Sequence, residues 1–209
     1  GVGIEAVQGD GKVQSVRLSD KREIEADAVI LSMGYRPNTT LAKAMGLELN
    51  THGFIKVDAY MRTNLEDVYA VGDCAEKHDF ATSRVSTTML ASTACAEARV
   101  AGLNLYTLST FRAFKGTIGI YSTKIGESAY GVAGLTEEAA KKSGFNVVTG
   151  SFTAMDRHPG KIKDAHKQTV KLIASKDSGT ILGGEVIGGL GTGEMTNVLG
   201  VIIQTNSTI

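Results

Sequence analysis

The sequence predicts an α/β portion, itself incomplete, over residues 1–109, followed by a separate α+β domain over residues 110–209. Three observations carry that prediction. Two short apolar runs are each closed by a glycine, as strands buried on both faces are. An alanine-rich segment at helical spacing follows the second run. Near residue 110 the pattern changes to short strands, a hairpin and an amphipathic helix.

Residues 11–32 read as strands. Val13, Val16 and Leu18 are apolar points in a polar segment, and residues 28–31 form the continuous run AVIL, which fits a strand buried on both faces. The run ends at Gly34, and Arg36-Pro37-Asn38 marks a turn. Thr39 or Thr40 can cap a short helix through Met45, closed by Gly46. His52-Gly53 is a turn before a short strand over 54–57, and residues 67–71 form the second buried-looking strand, stopped by Gly72-Asp73. Residues 84–101 read as a helix ended by Gly102. Its alanines at 91, 94, 96, 98 and 101 permit close approach of a neighbour or a ligand.

In the second half, residues 116–122 and 127–134 are two short strands. Thr136 is a plausible N-cap for a helix to Lys142, with Gly144 as the stop signal and Leu135 placed to staple onto Ala140. Residues 147–155 read as a strand. Residues 168–175 alternate as a half-buried strand does, and a tight turn over 176–179 leads into a further strand over 180–187, so the pair reads as a hairpin. Met195, Val198, Leu199, Ile202 and Ile203 fall on one stripe of a last helix.

The 22 basic and 22 acidic residues cancel, and no basic cluster advertises a nucleic-acid surface. The basic run 161–167 is interrupted by Asp164 and reads as a solvated loop. No stretch reaches 18 apolar residues, so no membrane-spanning helix is expected. The chain opens GVGIEAVQGDGK, with neither a signal-peptide pattern nor an initiator methionine, so processing or trimming upstream is expected. Cys74 and Cys95 form no disulfide framework, and a reducing, cytoplasmic setting fits them; no metal site is expected from the histidine and cysteine spacing.

The informative segment is Thr63-Asn64-Leu65-Glu66-Asp67-Val68-Tyr69-Ala70-Val71-Gly72-Asp73. It reads as a turn, a buried strand, then a glycine and a carboxylate at the strand's carboxyl end, where ligands of parallel sheets bind. A carboxylate there can accept hydrogen bonds from a polyol, and the glycine lets backbone approach closely. A simple turn is the competing reading.

Thr63, seven residues before Ala70, with Val71, Gly72 and Asp73, resembles the second FAD-binding motif of the two-dinucleotide-domain flavoprotein reductases. Ile30-Leu31-Ser32-Met33-Gly34-Tyr35-Arg36-Pro37-Asn38 resembles the segment by which those proteins return from the NAD domain to the FAD domain. Gly53-Phe54-Ile55-Lys56-Val57-Asp58 and Met61-Arg62-Thr63 match in the right order between them. Gly134-Leu135-Thr136-Glu137-Glu138-Ala139 and Ile181-Leu182-Gly183-Gly184-Glu185-Val186-Ile187-Gly188 resemble the same family's dimerisation domain. The branch most resembled contains NADH oxidase, NADH peroxidase and coenzyme A-disulfide reductase.

The resemblance implies a partial FAD/NAD(P)-binding, Rossmann-like portion followed by an α+β interface domain, in a homodimer. It implies FAD and NAD(P)H as cofactors, with Gly72 and Asp73 at the ribityl chain and Leu90 and Ala91 beside the flavin pyrimidine ring, at the amino end of a helix beginning near Thr88. The activity implied is that of an NADH oxidase passing hydride through FAD to oxygen or peroxide. A coenzyme A-disulfide or persulfide reductase is the alternative, as is a non-catalytic dimerisation or flavin-binding module. The family's loop near residues 155–160 approaches the partner subunit's flavin; here it lacks the tyrosines of the coenzyme A enzymes and holds His158, readable as an acid or base or as an exposed loop histidine.

The family's two GxGxxG loops and its redox cysteine have no counterpart in these residues. Gly1-Val2-Gly3-Ile4-Glu5-Ala6 imitates the pattern without its strand and helix, and the glycines at 189, 191 and 193 lack its spacing. No catalytic residue is expected in this chain, which alone is expected to be inactive and to need a missing amino-terminal portion of the same protein. Cys74, directly after Asp73, reads as structural, and Cys95, mid-helix among alanines, as buried.

Overall fold

Three short strands open the chain. The computed structural model describes residues 1–107 and 113–209, in two units, Gly1–Arg36 and Pro37–Ile209. The boundary expected between residues 109 and 110 lies outside the described residues.

In the first unit, β1 (Ile4–Gln8), β2 (Ser15–Leu18) and β3 (Glu23–Glu25) form an antiparallel meander in that order. The register slips between Ile4 and Ala6, and Val16 is the buried apolar residue of β2. Residues 28–31, expected as a strand buried on both faces, form no strand, and Ile30 is 91% exposed. The physical reason is that a continuous apolar run is buried only by flanking strands. The meander consists of β1, β2 and β3 alone, and none of its strands pairs with residues 28–31.

The second unit begins with α1 (Thr40–Ala44). Thr39 occupies the N-cap position, but its hydroxyl donates to the Gly53 carbonyl at 2.9 Å instead of accepting a helix amide. Ala42 packs into a small core with Leu47, Ile55, Ala70 and Ala75. Residues 54–57 and 67–71 are extended only in part: they join their neighbours through the single bridges Leu49↔Ile55, Ile55↔Ala75 and Arg62↔Tyr69. Met61 and Asp67 take positive φ, and Thr63 donates its hydroxyl to Val68 O at 2.9 Å, so tight turns use backbone groups that a longer ladder would need.

Next come a 3₁₀ turn at Gly72–Cys74, the two-residue strands β4 (Lys77–His78) and β5 (Val85–Ser86), and α2 (Ala91–Asn104). The helix starts later than Thr88 and runs past Gly102. Residues 85–86 are paired to β4, and Ser86 Oγ accepts the Thr88 N–H at 3.2 Å, which holds this stretch off the helix.

Residues 120–209 form an α+β domain, as the sequence predicts. β6 (Ile120–Ile125), β7 (Ser128–Gly134), β8 (Val147–Met155), β9 (Lys167–Ser175) and β10 (Ile181–Gly188) make one antiparallel sheet in the order β6-β7-β10-β9-β8. Between β7 and β8 lies α3 (Glu137–Lys142), capped by the Thr136 hydroxyl, which accepts the Ala139 N–H at 3.2 Å. Leu135 packs with Ala140, Ile173 and Leu182, as the staple requires.

α4 (Thr192–Gln204) lies across β6, β7 and β10. Leu199 and Ile203 enter the core with Ala133, Ile181 and Val186. Val198 does not, being half exposed; the rest of the buried face is Thr192, Thr196 and Gly200. Thr192 and Thr196 sit against Gly131 of β7, where a Cβ would meet Thr196 Oγ1 at 1.9 Å, and Gly200 sits against Ile120 of β6.

Candidate functional site

The site is built where the 3₁₀ turn meets α2. Gly72 takes φ +79°, a conformation that favours glycine, and a Cβ there would touch the Ala94 side chain at 3.5 Å. The small-residue face of α2 therefore does receive a close neighbour, and it is this turn.

Two buried charges hold the turn. The Gly72 N–H donates to Glu97 Oε2 at 2.6 Å. Lys77 Nζ donates to Gly72 O at 2.9 Å and to Ala75 O at 2.8 Å. The ammonium also lies 3.6 Å from Glu97 Oε1 and 5.7 Å from the Phe54 ring centroid. Glu97 is 0% exposed and Lys77 2%. Burial pushes the Glu97 carboxyl above its ordinary range, opposed by the Gly72 amide and by the lysine charge.

Asp73, next in the chain, is exposed. Cys74 is half-buried, with its thiol 3.5 Å from Val71 O, in keeping with a structural role. Leu90 is the N-cap of α2, half-buried and extended, and Ala91 opens the helix in an exposed position. No side chain caps this end and no acidic residue lies in its first turn, so the partial positive charge of the helix amino end is left without a side-chain counter-charge. The N–H of Ala94, the residue against Gly72, donates to Leu90 O at 3.0 Å. The structure thus brings Gly72 and Asp73 against the first turns of the helix that Leu90 and Ala91 begin.

Cys95 is exposed, contrary to the burial expected of it. The buried face of α2 is Thr93, Glu97, Val100, Ala101 and Asn104, and residue 95 points away from that face. His158 is an exposed loop residue. Lys77 and Glu97 were not singled out from sequence. The available signal was a polar series, Thr93, Glu97 and Asn104, recurring on one face of an otherwise small-residue helix.

Residues 1–98 match the family model described as "Pyridine nucleotide-disulphide oxidoreductase", and residues 120–209 match "Pyridine nucleotide-disulphide oxidoreductase, dimerisation domain". An NADH oxidase of Streptococcus pneumoniae is 36% identical over 188 residues, which is 88% of this chain and 39% of that protein. An NAD(P)H coenzyme A polysulfide/persulfide reductase of Pyrococcus horikoshii is 32% identical over 182 residues, 87% of this chain and 40% of that one. Among solved structures, reduced CoADR-RHD of Bacillus anthracis superposes with a TM-score of 0.87 at 31% identity, covering 99% of this chain and 36% of that chain. The chain therefore spans well under half the length of the relatives it matches.

Proposed function

The chain belongs to the pyridine nucleotide-disulphide oxidoreductase family, and from that premise we propose that it supplies the ribityl side of an FAD site and the subunit interface of an NAD(P)H oxidoreductase. The observation that carries the reading is the Gly72 turn, pinned against α2 with an exposed carboxylate directly after it. The residues fit the cofactor. Asp73 offers acceptors to ribityl hydroxyls, Gly72 presents no side chain to obstruct them, and the uncapped end at Leu90 and Ala91 offers backbone amides to the electron-rich edge of the ring. FAD, when bound, accepts hydride from NAD(P)H and passes electrons to an acceptor. The chain's own residues bind and orient it, and no acid, base or nucleophile is proposed among the described residues.

The favoured activity is that of an NADH oxidase with oxygen or peroxide as acceptor, supported by the likeness to the Streptococcus pneumoniae protein and by the absence of tyrosine from residues 155–160. Reduction of a coenzyme A disulfide or persulfide is the second reading, favoured by the Pyrococcus horikoshii relative. Oxygen uptake against persulfide-dependent NADH consumption separates the two. Residues 120–209 would join two copies in a homodimer. The free thiols Cys74 and Cys95 suit a cytoplasmic location.

The test of the site is Asp73→Ala in the longest natural form of the polypeptide. FAD retention through gel filtration should fall, while the thermal midpoint changes little because Asp73 is exposed. Undiminished flavin occupancy counts against the assigned role.

A further inference from the structure

Glu97 and Lys77 lie within 3.6 Å of each other, yet their short bonds go elsewhere. The carboxylate takes the N–H of Gly72 at 2.6 Å, and the ammonium gives to the C=O of the same residue at 2.9 Å. One arm comes from the second turn of α2 and the other from β4. Both peptide planes flanking Gly72 are thus gripped, at a residue whose φ of +79° is itself a turning point of the chain. The Ala75 N–H also reaches Gly72 O, at 3.0 Å, which closes the turn from its far side.

A buried ion pair is a poor device for stability, since an apolar pair of similar volume packs equally well without desolvating two charges. An apolar pair cannot, however, set the orientation of a peptide group. We infer that Glu97 and Lys77 are positioning residues, which fix both amide faces of Gly72 and so aim the Asp73 carboxylate relative to the amino end of α2. The inference rests on the reading that Asp73 binds FAD. It assigns the aim of that contact to two side chains beneath the surface.

Stability and affinity are read separately. In the longest natural form of the polypeptide, FAD affinity is read from quenching of flavin fluorescence, and folding from the thermal midpoint. The double variant K77M/E97L leaves the buried Gly72 N–H without its acceptor, so its midpoint should fall, and well below that midpoint it should bind FAD roughly tenfold more weakly, the size expected for losing a hydrogen bond to a charged group. Glu97→Gln keeps an acceptor for the Gly72 N–H and should recover most of the affinity. Native affinity in K77M/E97L, with D73A weakened, overturns the inference and leaves the role of Asp73 standing. Native affinity in D73A removes the underlying reading as well. If K77M/E97L does not fold, the Gly72 amide proton decides in E97Q: its resonance should move upfield as the charge-assisted bond is lost, and a resonance that stays in place refutes the clamp.

Discussion

Replacing Gly131 by alanine should strike at the seat of α4. A Cβ at that position falls 1.9 Å from Thr196 Oγ1, 3.1 Å from Thr196 Cβ and 3.3 Å from Thr192 Cγ2. The first contact is far inside van der Waals range, and the Thr196 side chain is not free to retreat. It is 1% exposed, and its hydroxyl donates to Thr192 O at 2.7 Å. Turning the hydroxyl away forfeits that bond, worth about 1 kcal/mol. Keeping it forces helix and sheet apart, and overpacking of this kind costs about 1–3 kcal/mol. The expected loss is about 1–3 kcal/mol, or roughly 2–12 °C in the thermal midpoint of a unit this size. Thr196→Ala removes the offending oxygen, so the double variant should regain about 1–2 kcal/mol over the sum of the single changes. Urea titration of the four proteins in a double-mutant cycle measures this. A Gly131→Ala protein within about 0.5 kcal/mol of the parent, or a cycle with no coupling, refutes the account of how the helix seats.

Two further outcomes follow from α3. Thr136→Ala removes the hydroxyl that caps Ala139 N–H and should cost about 1 kcal/mol in urea titration, whereas Thr136→Ser should cost much less. Glu137 is held down to about 2 by its hydrogen bonds to Lys141 and Lys171, from an ordinary carboxylate value of 4.5. Because its folded value is depressed, its stabilising contribution is complete above about pH 4.5 and is lost as pH falls toward 2. Carboxyl NMR titration should show Glu137 titrating near pH 2, and Lys141→Met should raise that midpoint.

What was legible in the sequence was local. The Thr136 cap, the Leu135 staple, the span of β8 and the β9–β10 hairpin depend on residues a few positions apart, and the pattern placed each of them. The misread elements depend on neighbours that periodicity cannot name. Residues 28–31 carry the composition of a buried strand but no strand pairs with them. Val198 lies on the apolar stripe of α4, yet Thr196 and Gly200 take the sheet side, Thr196 against Gly131 of β7 and Gly200 against Ile120 of β6. At the site, Gly72, Asp73, Leu90 and Ala91 could be picked out through resemblance. Lys77 and Glu97 could not, since their meaning lies in a meeting across 20 positions of chain that only the folded turn creates.

The strand order of the large sheet also has a kinetic meaning. The β6–β7, β8–β9 and β9–β10 pairs each join neighbours in sequence, so each can zip early and cheaply. The β7–β10 pair alone closes a loop of about 50 residues, setting Gly183 against Gly134 and Gly188 against Ala129. Ordering two local ladders leaves one seam whose closure entropy must be met before its contacts help, and α4 spans that seam by touching β7 and β10 together. Following all five strands in sequence, the helix can latch that junction only after both ladders have been made.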